Sequence, residues 1–339
     1  MKTAKLVQPK KIEVVEIEKP KIQSDHQVLV KVKAVGICGT DLHTFKGERN
    51  DVEYPRIMGH ELSGVVEEVG NAVTRVKPGD RVVYDPVNAC GTCKTCRSGH
   101  ENVCSDVKCF GVQMDGGFQE YIVVGEDHLY PYSGIASFEC AALGEPFSIA
   151  ANIVAKANVK SGDKAVIFGA GTIGVAVLQV LKKQGIKVLV TDIADVKLKI
   201  AENFGADAVV NSTKQNLEEE VEKFSEGGVE AVIDAVGMHF TFAQAVKLAA
   251  PCGTIVEIGF DDTPAEIPAG LITRKELTIA GSRMNCHRFE TVSKWLEDGT
   301  ITDKMISAVY PLEEIQTAFE DMLARSDHWL KVIIRIDEK

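Results

Sequence analysis

A short, mostly apolar run, Lys164-Ala165-Val166-Ile167-Phe168, passes directly into Gly169-Ala170-Gly171-Thr172-Ile173-Gly174. That junction leaves few folds open. The run suits a strand buried on both faces, as in a parallel sheet. Beyond it, Ile173, Val177, Val180 and Leu181 recur at helical spacing, and Gly185 supplies a stop. A second run, Lys187 to Thr191, ends at Asp192, 23 residues after Gly169. Strand, glycine turn, helix, strand and acid together form the context in which a G-x-G-x-x-G motif signals dinucleotide binding; the motif alone is weak. Gly169 permits the tight turn. Gly171 lets the backbone approach a pyrophosphate at the helix N-terminus, which Thr172 and Ile173 open. Gly174 allows close helix–strand packing. Asp192 would accept hydrogen bonds from the adenosine ribose and repel a 2′-phosphate, favouring NAD over NADP. Its alternative role is to cap the next helix, for which Asp195 is the better candidate. Further strands are expected at 207–210, 231–234, 254–258 and 277–280, completing a doubly wound sheet of six. Ala235, at the end of the fourth, is placed to line the cofactor cleft.

The preceding half reads differently. Residues 1–37 alternate over short stretches, as in Val28 to Val35, and Pro78-Gly79-Asp80 is a turn before Arg81 to Tyr84. This is antiparallel β structure. At 339 residues two domains are the default. A net charge of -11 argues against a nucleic-acid partner. No apolar run reaches membrane-spanning length, and the amino terminus has no apolar signal core. Nine cysteines, four of them crowded into 90–104, then suggest metal thiolates rather than disulfides and a cytoplasmic protein.

Two groups of residues carry metal chemistry. Cys90, Cys93, Cys96 and Cys104 have the spacing C-x2-C-x2-C-x7-C in a stretch with almost no apolar residues. Four thiolates would close a tetrahedral Zn²⁺ site there; an iron–sulfur cluster is the alternative. Cys38 stands in Gly36-Ile37-Cys38-Gly39-Thr40-Asp41-Leu42-His43, and His60-Glu61 follow 22 residues later. Taken singly, Cys38 reads as a small buried hydrophobe and His60 as a structural histidine. Together, Cys, His and Glu are what a catalytic Zn²⁺ uses while keeping a position open.

With these motifs the chain resembles the zinc-dependent medium-chain dehydrogenase/reductase family over nearly its whole length. The resemblance implies a GroES-like β-rich catalytic domain, discontinuous at 1–148 and 283–339, and a Rossmann NAD domain at 149–282. It implies two zincs per chain and favours zinc over iron–sulfur at the four cysteines. It gives Cys38 and His60 ligand roles and Glu61 a direct or exchangeable one. In Leu143-Gly144-Glu145-Pro146-Phe147-Ser148 it places Glu145 at the remaining ligand position, as in the polyol branch typified by sorbitol dehydrogenase. Which of Glu61 and Glu145 holds the metal at rest stays open. Thr40 and His43, otherwise a turn residue and a surface histidine, become a relay that removes the substrate proton. Gly259 and Phe260 meet the nicotinamide end. Arg283, otherwise an ordinary surface arginine, and Asn285 are expected at the substrate. The likeness is nearest to bacterial L-gulonate and L-galactonate 5-dehydrogenases of carbohydrate metabolism, with sorbitol-like polyols and then threonine or butanediol as alternative substrates. A homo-oligomer, dimer or tetramer, acting on a small polyhydroxylated molecule is expected.

Overall fold

The computed structural model describes residues 1–325 and 327–336; the last three residues of the expected 283–339 segment lie outside it. The chain forms two compact units, Met1–Ser148 with Asn285–Lys339, and Ile149–Met284. Arg283 therefore falls in the second unit and Asn285 in the first. Among the described residues no helix is long and apolar enough to cross a membrane.

The first unit is built on a seven-stranded sheet. Its order is Ile306–Pro311, Lys331–Arg335, Gln27–Ile37, Glu61–Val69, Arg81–Tyr84 and Leu129–Pro131, with Tyr121–Gly125 also paired to Gln27–Ile37. Most pairs are antiparallel, whereas Ile306–Pro311 runs parallel to Lys331–Arg335. The inward residues Val28, Val30, Val32, Leu62, Val66 and Ile334 form its core. Past the strand Ile306–Pro311 the chain forms a tight turn, Leu312–Glu314, and becomes α-helical at Ile315–Ala324. Phe319 of that helix packs on Phe45 and Phe118, with ring centroids 5.0 and 6.1 Å away. Register then sets the site: Gly36 lies opposite Glu61 on one side and Ile333 on the other.

The second unit holds six parallel strands in the order Ala208–Asn211, Lys187–Asp192, Lys164–Phe168, Val229–Asp234, Ala249–Glu257 and Thr278–Gly281. The order reverses direction beside Lys164–Phe168, and at such a switch point a doubly wound sheet opens a crevice at its carboxyl ends. The buried, β-branched central strands account for this placement: Val166, Ile167, Val232 and Ile233 are fully enclosed.

Candidate active site

Cys38, His60 and Glu61 converge because of the register just described. Cys38 follows the strand Gln27–Ile37 and is the N-cap of the helix Gly39–Lys46; Glu61 opens the next strand. Their ligand atoms lie within 4.8 Å of one another. Gly36 is the residue that makes room: a Cβ there would sit 2.1 Å from Glu61 Oε2. Asp41, fully buried, accepts from the Cys38 amide at 2.9 Å and the Gly59 amide at 3.3 Å. Its carboxylate lies 3.8 Å from His60 Nδ1, too far for a hydrogen bond. That leaves Nδ1 buried and without a hydrogen-bond partner. Burial, with Glu61 next, pushes the Cys38 thiol up to about 12, so a thiolate here requires a cation to displace its proton. A half-buried thiol, an unpartnered imidazole nitrogen and a carboxylate within one small cluster fit a divalent metal of zinc's donor preference.

Lys331 completes this cluster. Its Nζ lies 2.6 Å from both Glu61 oxygens and donates to the Ile37 carbonyl at 3.1 Å. Both side chains are almost wholly enclosed, at 2% and 1% exposure. Burial alone would lower the Lys331 pKa, but the charges of Glu61 and Cys38 outweigh it and raise the net value. Glu61 is thus a member of the cluster that is already paired with Lys331. Glu145, at the start of the helix Gly144–Ala157, is buried but stands outside the 4.8 Å group. Burial, reinforced by Glu61 and Cys38, raises its carboxyl to about 8. Thr40 and His43 occupy one face of the helix Gly39–Lys46, three residues apart. Thr40 is half-buried; His43 is exposed, with Nδ1 2.6 Å from Glu48 Oε2.

Cys90, Cys93, Cys96 and Cys104 form a second cluster within the same 4.8 Å limit. Sγ of Cys93 is 3.4 Å from that of Cys96 and 3.8 Å from that of Cys104, and Cys90 is 4.0 Å from Cys96. Tetrahedral Zn–S bonds of roughly 2.3 Å imply a similar separation. The amides of Cys93 and Asp106 donate to Cys90 and Cys104 sulfurs at 3.3 Å, stabilising thiolate. A hydroxyl contact from Thr95 leads in lowering Cys93 to about 5. The nine cysteines form no disulfide.

In the second unit the glycine turn is as tight as its motif demands. Gly169 has φ +88°, and a Cβ on Gly174 would lie 1.9 Å from the Gly169 carbonyl oxygen. The helix Thr172–Lys183 follows Gly171 with no side-chain cap hydrogen bond, and a helix N-terminus of this kind suits a phosphate. Asp192 accepts from the amides of Ala170 at 2.8 Å and Ala194 at 2.9 Å. Asp195 is not the cap: it is the first residue of its helix and pairs with Asn211 and Lys214. Asp192 tightens that turn instead, because its carboxylate reaches both amides. Ala235 follows the strand Val229–Asp234. Gly237 and Gly259 press together so closely that a Cβ on either would fall 2.1 to 2.2 Å from the other's Cα. Ile193, Val236 and Phe260 are 70%, 46% and 81% exposed at the carboxyl ends of their strands, where an apolar ring of a dinucleotide would cover them.

Arg283 is exposed. Asn285 is buried, and its amide donates to Asp85 Oδ1 at 3.0 Å rather than to a member of the Cys38 cluster. The functional residues that motif reading missed are Gly36, Asp41 and Lys331. The first two lie inside quoted motifs. The only signal for Lys331 was a lysine heading an otherwise apolar strand.

Residues 24–134 match the family described as "Alcohol dehydrogenase GroES-like domain", and residues 172–298 match "Zinc-binding dehydrogenase". The chain is 36% identical to the starvation-sensing protein RspB of Escherichia coli K12, covering 100% of both. It is 31% identical to the L-galactonate-5-dehydrogenase of the same organism, covering 96% of each. An alcohol dehydrogenase structure from E. coli CFT073, complexed with NADH, matches with TM-score 0.93 at 35% identity over 99% of both chains.

Proposed function

From a chain that belongs to the zinc-type medium-chain alcohol dehydrogenase family, we propose NAD-dependent oxidation of a secondary hydroxyl in a sugar acid. The substrate is an L-hexonate such as L-gulonate or L-galactonate, oxidised at C5 to the 5-keto acid. The observation that carries this reading is the cluster of Cys38, His60 and Glu61 with a second buried acid, Glu145, nearby. Two carboxylates make a harder, more polar surround than thiolates alone, which suits a polyhydroxylated substrate. The likeness to L-galactonate-5-dehydrogenase points the same way.

Cys38 and His60, with Glu61 or Glu145, would hold a catalytic zinc, and Cys90, Cys93, Cys96 and Cys104 a structural one. Zinc supplies Lewis-acid polarisation of the alcohol oxygen. Thr40 takes up the hydroxyl proton and passes it to His43, whose exposed ring returns it to water. NAD⁺, when bound, would accept the C–H electron pair as hydride, so the balance is alcohol plus NAD⁺ to ketone, NADH and a proton. Gly169, Gly171, Thr172, Ile173, Gly174, Asp192, Ala235, Gly259 and Phe260 hold that cofactor. Arg283 offers a bidentate partner for the substrate carboxylate. The absence of disulfides among nine cysteines supports a reducing, cytoplasmic setting, and a dimer or tetramer is the proposed working form.

Turnover of hexonates and of the matching neutral polyols, followed by NADH absorbance, tests the substrate. Arg283→Ala should lower kcat/KM for the hexonate on the order of 100-fold and for the polyol much less. Faster turnover of sorbitol than of any hexonate, or equal damage to both substrates, transfers the assignment to a polyol dehydrogenase.

A further inference from the structure

A third group of metal-binding side chains lies in the first unit, apart from both clusters above. Glu101, Cys286 and His287 bring a carboxylate oxygen, a thiol sulfur and an imidazole nitrogen within 4.8 Å of one another. They come from distant parts of the chain. Glu101 belongs to the turn Glu101–Val103 of the cysteine-rich lobe, while Cys286 and His287 belong to the segment that re-enters the unit at Asn285. Glu101 Oε2 is shielded from solvent and has no hydrogen-bond partner among the described residues, although His287 Nε2 lies 2.8 Å away. Two ligand atoms bound tetrahedrally at about 2.0 Å to one zinc-like ion stand about 3.3 Å apart, so this pair need open by only about half an ångström to admit one. Cys286 Sγ is anchored 3.2 Å from the Gly99 carbonyl of the same lobe.

The surroundings favour a cation. A cavity of about 290 Å³ adjoins the group and is lined by the carboxylates of Asp85, Glu101 and Asp127, with Arg75 as its one fixed positive charge. Three acids against one arginine tilt the cavity toward negative charge, which favours a cation. Within the cavity His128 Nδ1 is 2.9 Å from the Asp85 carbonyl oxygen. Donation there leaves Nε2 as the ring's acceptor, the tautomer a metal or its bound water would meet.

We propose that Glu101, Cys286 and His287 form a third metal site, specific for a divalent ion of intermediate softness such as Zn²⁺ or Co²⁺. The set of one thiolate, one imidazole and one carboxylate excludes Mg²⁺ and Ca²⁺, which prefer oxygen alone. The ion fastens the re-entering segment to the cysteine-rich lobe. Cys286 releases its thiol proton on binding.

The test uses the full-length protein loaded with two zinc equivalents and then titrated with Co²⁺. Metal content is read by elemental analysis and coordination by the visible spectrum. The wild type should take up one metal equivalent more than Cys286→Ser, with a thiolate-to-cobalt charge-transfer band that the variant lacks. His287→Ala should weaken this uptake on the order of 100-fold while the band position changes. Excess Mg²⁺ should not compete. Equal metal content in wild type and Cys286→Ser, or a cobalt spectrum indifferent to both substitutions, overturns the proposal. Because the readout is a difference between wild type and variant, it stands whether or not the protein oxidises sugar acids, and loss of dehydrogenase activity plays no part in it.

Discussion

Lys331 and Glu61 show how much one pair can decide. The ion pair is enclosed, so removing one partner strands a charge in a low-dielectric site; removing both need not. Lys331→Met should destabilise the protein by about 3–5 kcal/mol in urea unfolding, and Lys331→Met with Glu61→Gln should recover most of that loss. No recovery in the double variant would mean that Lys331 acts through packing. Asp192 poses a different question, because its oxygens already accept from two backbone amides. Asp192→Ser should raise kcat/KM for NADP relative to NAD, and a wild type that prefers NADP would contradict the charge argument. Asp192 was legible because the glycine turn and its acid lie within one local unit. Lys331 was not: it meets Glu61 across 270 residues of sequence, and no spacing rule links positions so far apart. The group Glu101, Cys286 and His287 was illegible for the same reason.

At the scale of elements, the strands Val229–Asp234 and Ala249–Glu257 deliver two acids side by side, Asp234 opposite Glu257. Asp234 Oδ1 accepts from the Val236 and Gly237 amides, at 3.1 and 2.9 Å, and Glu257 Oε1 from the Gly259 amide at 2.8 Å. The remaining oxygens, Asp234 Oδ2 and Glu257 Oε2, have no donor, a need one shared proton meets. Burial first, then Asp234, raises the Glu257 carboxyl from 4.5 to about 7. The folded state therefore favours the protonated acid. Its contribution is complete below about pH 4.5 and is lost as pH rises through about 7. Since Glu257 is only half-buried, solvent screening reduces the effect to about 1–2 kcal/mol. Urea midpoints should fall between about pH 5 and about pH 8 in the wild type, and fall less in Glu257→Gln, which keeps the acceptor for Gly259. The six strands themselves were readable from apolar runs of the right length. Their paired acids were not, because alternation says nothing about which strands become neighbours.

For the whole molecule the two proposed metal clusters would divide the labour. The cysteine-rich lobe has few apolar residues, so a metal bound there would take the place of a core, whereas the Cys38 cluster rests on a seven-stranded sheet. Cys93→Ser should lower Tm and zinc content together. His60→Ala should abolish turnover while leaving Tm and NAD binding close to wild type. Equal loss of Tm in both variants would refute this division. One feature of the first unit reaches beyond the finished protein. The strand Lys331–Arg335 sits in mid-sheet, against Gln27–Ile37, yet it leaves the ribosome after everything else it touches. The second unit is continuous and can close while the chain is still being made. The first waits with its central sheet open and Glu61 without its cation until the final strand emerges. A messenger cut short before codon 331 would encode every proposed metal ligand and still yield a protein with no settled active site.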